Sequence, residues 1–446
     1  MSTLISVGKL ITGNARDEII DDAAILIEGN RIQQILSQAT IGRIDSTEHI
    51  HAHELVAIPG FVQTHVHLCQ TLFRGLAEDF QLLDWLKKRI FPFEAAHDEK
   101  SMFCSALLGI AELIRSGTTT ILDMGSINHE EEVIRAVGET GMRAFVGKAM
   151  MDLNDAFPKL KEPTKVSLRT TLNLAEQWHN SYDGRVQYAV APRFVLSCTD
   201  ALLREAHEMT ISFEGMLFHT HASENKTEVK AVRDRCKMEN IEFLDHLHVL
   251  SEKACLAHCI HLNDREMDIL KTTDSNIAHC PSSNLKLGSG IANISKLVNH
   301  GINVTFGADG APCNNNLNMF QEMRLASLLQ KAFQGPTALP AKQVFKMATI
   351  GGARALGLED VIGSIEVGKK ADIVLLDLAR IWNPVIANED IYSTIVYSAE
   401  PANVDSVMID GRWVYRKGIS VDIDEAKILR EAKNELMDLL ERVEYQ

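Results

Sequence analysis

Pro59-Gly60-Phe61-Val62-Gln63-Thr64-His65-Val66-His67 (PGFVQTHVH, residues 59–67) is the stretch on which the reading of this chain turns. It is a short apolar run that ends in two histidines. In a β-strand, residues two apart point to the same face, so both imidazoles can aim at one ion. The spacing alone is weak, because 17 histidines also place His-x-His at 49–51–53, 219–221 and 246–248. Its position gives it weight. Similar apolar runs recur near 58–67, 118–123, 143–149, 187–193, 216–221, 254–258, 275–280 and 303–309. Segments of helical period separate them, among them 101–116, 166–178, 225–238 and 317–332. Repeated strand–helix units imply a parallel sheet buried by helices, and eight of them imply closure into an α/β barrel of the (β/α)8 type.

Outside the eight runs the pattern changes. Ala24–Ile27 and Arg31–Ile35 flank Gly29-Asn30, a two-residue hairpin signal, and Val407–Ile409 and Trp413–Tyr415 flank Asp410-Gly411 in the same way. Ala371–Asp377 reads as a further strand. The two chain ends are therefore expected to pair into one small β-domain, a β-sandwich, closed by a helix within 421–446. The expected division is residues 1–57 for its N-terminal part, 58–360 for the catalytic barrel, and 361–446 for its C-terminal part and closing helix.

Composition narrows the function. An apolar fraction of 46% and a charged fraction of 24% over 446 residues suit a folded protein with a large core. A formal charge of −15 disfavours nucleic acid and anionic membrane as partners but not a small neutral ligand. No apolar run approaches the roughly 20 residues of a membrane span. Eight cysteines lie scattered without a Cys-x-x-Cys pair, which reads as reduced thiols in a cytoplasmic protein. A homo-oligomer is expected only from the size of the barrel.

Barrel chemistry collects where strands end. Those positions hold His65, His67, Arg193, His221, His258, His279 and Asp309. His65, His67 and His221 with Asp309 make a set suited to one divalent metal, most simply Zn2+, with Fe2+ or Mn2+ also fitting. His219 would lie one layer deeper than His221, packed and hydrogen-bonded. Zinc lowers the pKa of a coordinated water to roughly 7 and so provides a nucleophile at neutral pH. Addition to an amidine-like ring carbon then needs two proton movements. Asp309 suits the first, from the water; Glu224 suits the second, to the ring nitrogen and leaving amine; His258 orients the nucleophile. His279, Ser283 and Asn284 follow the seventh run and are candidates to contact substrate or support Asp309. The long connection 68–117 is expected to be functional, with Gly75 to His97 covering the substrate.

The words PGFVQTHVHL, HTHASEN, LAHC, HCPSSNLKLGSG and GADGAPCNNNLNMFQEMRLASLLQK, with the tail GSIEVGKKADIVLLD, resemble the amidohydrolase superfamily over almost the whole chain. Within it the chain is similar to the branch of S-adenosylhomocysteine, methylthioadenosine and 5'-deoxyadenosine deaminases, near the triazine hydrolases. HVHLCQTLFRG followed by LLDWLKKRIFPFEAAHD resembles the 5'-deoxyadenosine deaminases most. The resemblance implies His65, His67, His221 and Asp309 as ligands and Glu224, His258 and Asp309 as catalytic. It implies Trp85 and Glu94 as nucleoside contacts. Arg193 stands where binuclear members carry a bridging lysine, which implies one metal.

The run Pro192-Arg193-Phe194-Val195-Leu196-Ser197-Cys198, with Gln70, also resembles guanine deaminases, where a Gln and an Arg read the purine edge. Gln70, Trp85, Glu94, Arg193, Phe194 and Glu224 are thus the expected substrate contacts. The expected reaction is deamination of a 5'-modified adenosine to its inosine analogue. The alternatives are a guanine, 8-oxoguanine or pterin deaminase, a triazine hydrolase, and a barrel that retained its fold as an inactive binding protein.

Overall fold

The structure is a computed structural model that describes residues 2–37, 46–383 and 390–445. Its eight principal barrel strands, in chain order, are Phe61–His67, Thr118–Asp123, Arg143–Val146, Val186–Pro192, Leu217–Ala222, Ala254–His258, Asn276–His279 and Val304–Phe306. Each is parallel to the next, and the eighth pairs with the first, so the sheet closes. Helices cover the outer face and side chains fill the interior, so nearly every strand residue is buried. That double burial is why the strands read as continuous apolar runs rather than alternating ones.

Polar residues start the intervening helices. Asp98 and Ser101 form a reciprocal cap on Glu99–Arg115. Thr199, Asn225 and Asn318 accept first-turn N–H groups of Asp200–Ser212, Lys226–Cys236 and Met319–Gln334.

The eighth run is interrupted. Strand pairing stops at Phe306 and resumes at Asp309-Gly310, which pair with Val66 and His67 of the first strand. Gly307 permits the passage: a Cβ there would lie 2.4 Å from the His65 carbonyl oxygen and 2.7 Å from the His65 Cβ. Past it, Asp309 has φ 64°. His258, at the end of the sixth strand, has φ 75°. Non-glycine residues in this region are strained and concentrate at functional sites.

Both chain ends build a second, eight-stranded sheet. Its order is Ile419–Ser420, Arg412–Arg416, Val404–Ile409, Ile373–Leu376, Glu48–Pro59, Ser2–Ile11, Ile19–Glu28, Arg31–Ser37. The Gly29-Asn30 and Asp410-Gly411 turns meet: a Cβ on Gly411 would come within 2.5 Å of the Gly29 carbonyl oxygen. Asn30 Nδ2 also donates to Asp410 Oδ2 at 3.4 Å, across 380 residues of chain. A buried ion pair ties this sheet to the barrel, because Arg143 of the third strand donates to both oxygens of Asp372 at 3.0 and 3.1 Å.

Over the strand ends lies a cover of short helical pieces, Leu82–Trp85, a π-helical turn Leu86–Ile90, and Phe91–Ala95. The closing helix, Glu425–Arg442, packs on Glu99–Arg115. Its Arg442 Nε donates to the Ala96 carbonyl at 2.9 Å, at the root of the cover. Among the described residues no helix is long and apolar enough to cross a membrane.

Candidate metal centre and substrate cavity

Strand geometry delivers the four expected ligands to one point. His65 and His67 leave the end of the first strand, His221 the fifth, and Asp309 follows the eighth. One donor atom from each lies within 4.8 Å of all the others. His65 Nε2 and His67 Nε2 are 3.3 and 3.4 Å from Asp309 Oδ1, and His67 Nε2 is 3.3 Å from His221 Nε2.

The rings are held from behind. His67 Nδ1–H donates to the Met124 carbonyl and His221 Nδ1–H to the Arg193 carbonyl, both at 2.7 Å. His65 is set by a relay: His219 Nδ1–H donates to the Cys255 carbonyl at 2.8 Å. That leaves His219 Nε2 to accept from His65 Nδ1–H at 2.8 Å. Each ligand ring therefore presents an unprotonated Nε2 to the centre.

These donors fit a divalent cation. The buried His65 Nε2 has no hydrogen-bond partner. Burial, then the neighbouring His65, lowers His67 to about 3, and burial holds His221 well below the ordinary histidine range. Neutral imidazoles are what such an ion requires. Burial pushes the Asp309 carboxyl up, but His65, with His258 and His67 beside it, outweighs that and leaves it well below the carboxylate range. Ser283 Oγ donates to Asp309 Oδ2.

Two further groups flank the point. His258 Nε2 stands 3.6 Å from Glu224 Oε2 and 3.9 Å from Asp309 Oδ2. Its Nδ1–H donates to Asn284 Oδ1 at 2.8 Å. Burial raises the Glu224 carboxyl above its ordinary value despite His258 beside it. Burial lowers His258, yet Glu224 and Asp309 together raise it above the usual imidazole. The pair therefore holds an acid and an imidazolium-prone base side by side.

In front of these groups is a small covered cavity. The cover contributes Leu82, Trp85 and Leu86; Gln70, Arg193, Phe194 and Leu287 form the side walls. Trp85 is fixed by its indole N–H to the Ala77 carbonyl at 3.1 Å.

Glu94 and Arg193, both expected to touch substrate, are engaged with each other. Arg193 Nη1 and Nη2 donate to the two Glu94 oxygens at 2.7 and 3.0 Å, and Gln70 Nε2 adds a third bond at 2.9 Å. Arg193 lines the cavity, whereas Glu94 stands behind it with its side chain wholly buried. Of the residues after the seventh strand, Ser283 and Asn284 support Asp309 and His258 as described. His279 instead is buried without a polar partner.

Three participants escape sequence reasoning. His219, expected to be packed and hydrogen-bonded but with no partner foreseen, carries the relay to His65. Glu228 lines the cavity and accepts the Glu224 N–H at 3.1 Å; its position four residues after Glu224 was the available signal. Burial and the nearby Glu224 raise its carboxyl to about 8. Glu322 accepts from Ser282 N–H at 3.1 Å and from Asn314 Nδ2 at 2.9 Å. It thereby braces the two loops that carry Ser283 and Asp309.

Residues 56–414 match the model of the Amidohydrolase family. The chain is 41% identical over 428 residues to a 5'-deoxyadenosine deaminase of Methanothermobacter thermautotrophicus, covering 95% of this chain and 96% of that one. It is 35% identical over 441 residues to a 5-methylthioadenosine/S-adenosylhomocysteine deaminase of Pelotomaculum thermopropionicum, covering 98% and 99%. Among solved structures it superposes on a zinc-bound adenosine deaminase from Xanthomonas campestris with a TM-score of 0.92. Sequence identity there is 29%, with 98% of each chain covered.

Proposed function

Because the chain belongs to the amidohydrolase family, we propose that it is a zinc-dependent hydrolytic deaminase of a 5'-modified adenosine, forming the inosine analogue and ammonia. The carrying observation is the set of three histidines whose Nε2 atoms, with Asp309, face one point beneath a covered cavity.

His65, His67, His221 and Asp309 hold the cation, which when bound supplies the Lewis acidity that makes water a nucleophile near neutral pH. Asp309 takes the proton released as the water oxygen bonds to the ring carbon bearing the amine. Glu224, whose carboxyl burial raises above its ordinary value, gives its proton to the adjacent ring nitrogen, so the ring accepts the new bond without building negative charge. As the carbon–nitrogen bond breaks, the proton held by Asp309 passes to the leaving amine, the hydroxyl on the ring carbon returns its proton to Glu224 as the carbonyl forms, and ammonia departs. His258, oriented by Asn284, lies between the two carboxyl groups and steadies the charge that moves between them.

The cavity wall offers a ligand both donors and an acceptor. A guanidinium suits a ring carbonyl; Arg193 gives two of its five N–H groups to Glu94, which holds its plane at the cavity wall. Gln70 Oε1 is buried without a partner, which suits an N–H or O–H on the ligand.

Ammonia release should be followed on 5'-deoxyadenosine, methylthioadenosine, S-adenosylhomocysteine, guanine, 8-oxoguanine and a chlorotriazine. The expected result is turnover of at least one of the three adenosine derivatives, abolished by chelation and by Asp309→Ala. Turnover of guanine with none of any nucleoside would overturn the substrate. Turnover that survives both chelation and Asp309→Ala would overturn the chemistry.

A further inference from the structure

The His49-Ile50-His51-Ala52-His53 run lies on the strand Glu48–Pro59 of the terminal sheet, apart from the barrel centre. Strand periodicity places its three imidazoles on one face. All three are exposed. The His49 and His51 rings lie side by side, centroids 3.9 Å apart and tilted by 40°; those of His51 and His53 are 6.0 Å apart.

Residues 48–52 pair with Ser2–Ile11 on one side, whereas the strand Ile373–Leu376 joins the other side only at residues 56–59. Among the described residues, that second edge is unpaired along the histidines. His49 Nε2 is 2.8 Å from the hydroxyl of the buried Ser6. With Nε2–H donating to that oxygen, Nδ1 is left unprotonated and free. This is the arrangement by which proteins orient a ligating imidazole, one nitrogen tied to an oxygen and the other given to the metal.

We propose that His49, His51 and His53 form a second metal site, for a borderline divalent cation of the nickel, copper or zinc class. Neutral imidazole is the ligand these ions favour over carboxylate or water. His49 and His51, whose ring centroids are 3.9 Å apart, form the heart of the site, and His53, 6.0 Å from His51, joins it by side-chain rotation. Burial, then the two neighbouring imidazoles, holds His49 below its usual pKa, which keeps it available as a ligand at neutral pH. No carboxylate is required, and the site is independent of whether the barrel deaminates.

The probe is Ni2+, counted per chain by elemental analysis after equilibrium dialysis of the zinc-loaded protein at low micromolar nickel. The unmodified protein is expected to take up one nickel and keep its zinc. His49→Gln/His51→Gln should lose the nickel while zinc content and ammonia release stay unchanged. The control is His246→Gln/His248→Gln, which removes another exposed His-x-His, there at a helix end where residues two apart do not share a face. That variant should retain the nickel.

Should the double variant at 49 and 51 fail to fold by circular dichroism, the exposed single change His53→Gln serves instead and should weaken nickel uptake several-fold. Absence of nickel from the unmodified protein would overturn the proposal. So would uptake undiminished by these changes, or lost equally in the control. If deamination itself fails on every substrate, the nickel count still decides this site.

Discussion

Among single residues, Glu224 links the chemistry most directly to pH. Burial raises its carboxyl above the ordinary value, so the proton it donates is present at pH values where an exposed glutamate has lost it. The sign follows: activity that needs protonated Glu224 is present below the raised pKa and is lost as pH rises through it. Glu224→Gln is expected to lower kcat by about 10^2–10^4-fold, the usual range for an acid–base group. It should also remove that alkaline limb from the kcat–pH profile, with zinc content unchanged. A variant that slows but keeps the limb would assign the proton to another group. The candidate ligands were legible because they stand at strand ends in a countable series. His219 and the Glu94–Arg193 pair were not legible in their roles. Their partners, His65 and each other, lie across the barrel or in another loop, and a linear sequence carries no sign of who faces whom.

The barrel strands and their order could be read because each is buried on both faces and so writes an uninterrupted apolar run. Where the backbone departs from regularity the reading blurred. The eighth run, expected to continue to 309, stops pairing at Phe306 because Gly307 must slip past His65. Gly307→Ala is expected to push this segment off the first strand and shift Asp309 away from the imidazoles. Zinc affinity should fall by at least tenfold, measured by competition with a chromophoric chelator, and Tm should drop by several degrees, as expected for a loss of about 1–3 kcal/mol by overpacking. Unchanged zinc affinity would show that strand eight reaches its place without this close approach. The cover likewise read only as a long functional connection. Its π-helical turn, Leu86–Ile90, has no local signature distinct from an ordinary helix.

For the molecule as a whole, the paired hairpin turns at both ends announced a shared terminal domain, and the second sheet joins them. What composition could not announce is how that sheet is fastened to the barrel. Arg143 and Asp372 are almost fully buried and bidentate. Removing one partner of such a pair strands the other charge in a low dielectric. Arg143→Met is therefore expected to destabilise the fold by about 3–5 kcal/mol, seen as a lower urea midpoint at unchanged m-value. Arg143→Met with Asp372→Leu should recover much of the loss. A single variant as stable as the parent would show that packing alone holds the two units together.

The touching turns at Gly29-Asn30 and Asp410-Gly411 also carry a consequence for biosynthesis. The first four strands of the terminal sheet emerge early from the ribosome, yet the strand that flanks Glu48–Pro59 arrives only after the whole barrel has been translated. Until then, an apolar edge waits beside a nascent barrel, and contacts of such long sequence separation are slow to form. Newly made chains of this protein should therefore lean on chaperones during the interval, and truncation before Ile373 should leave them prone to aggregate.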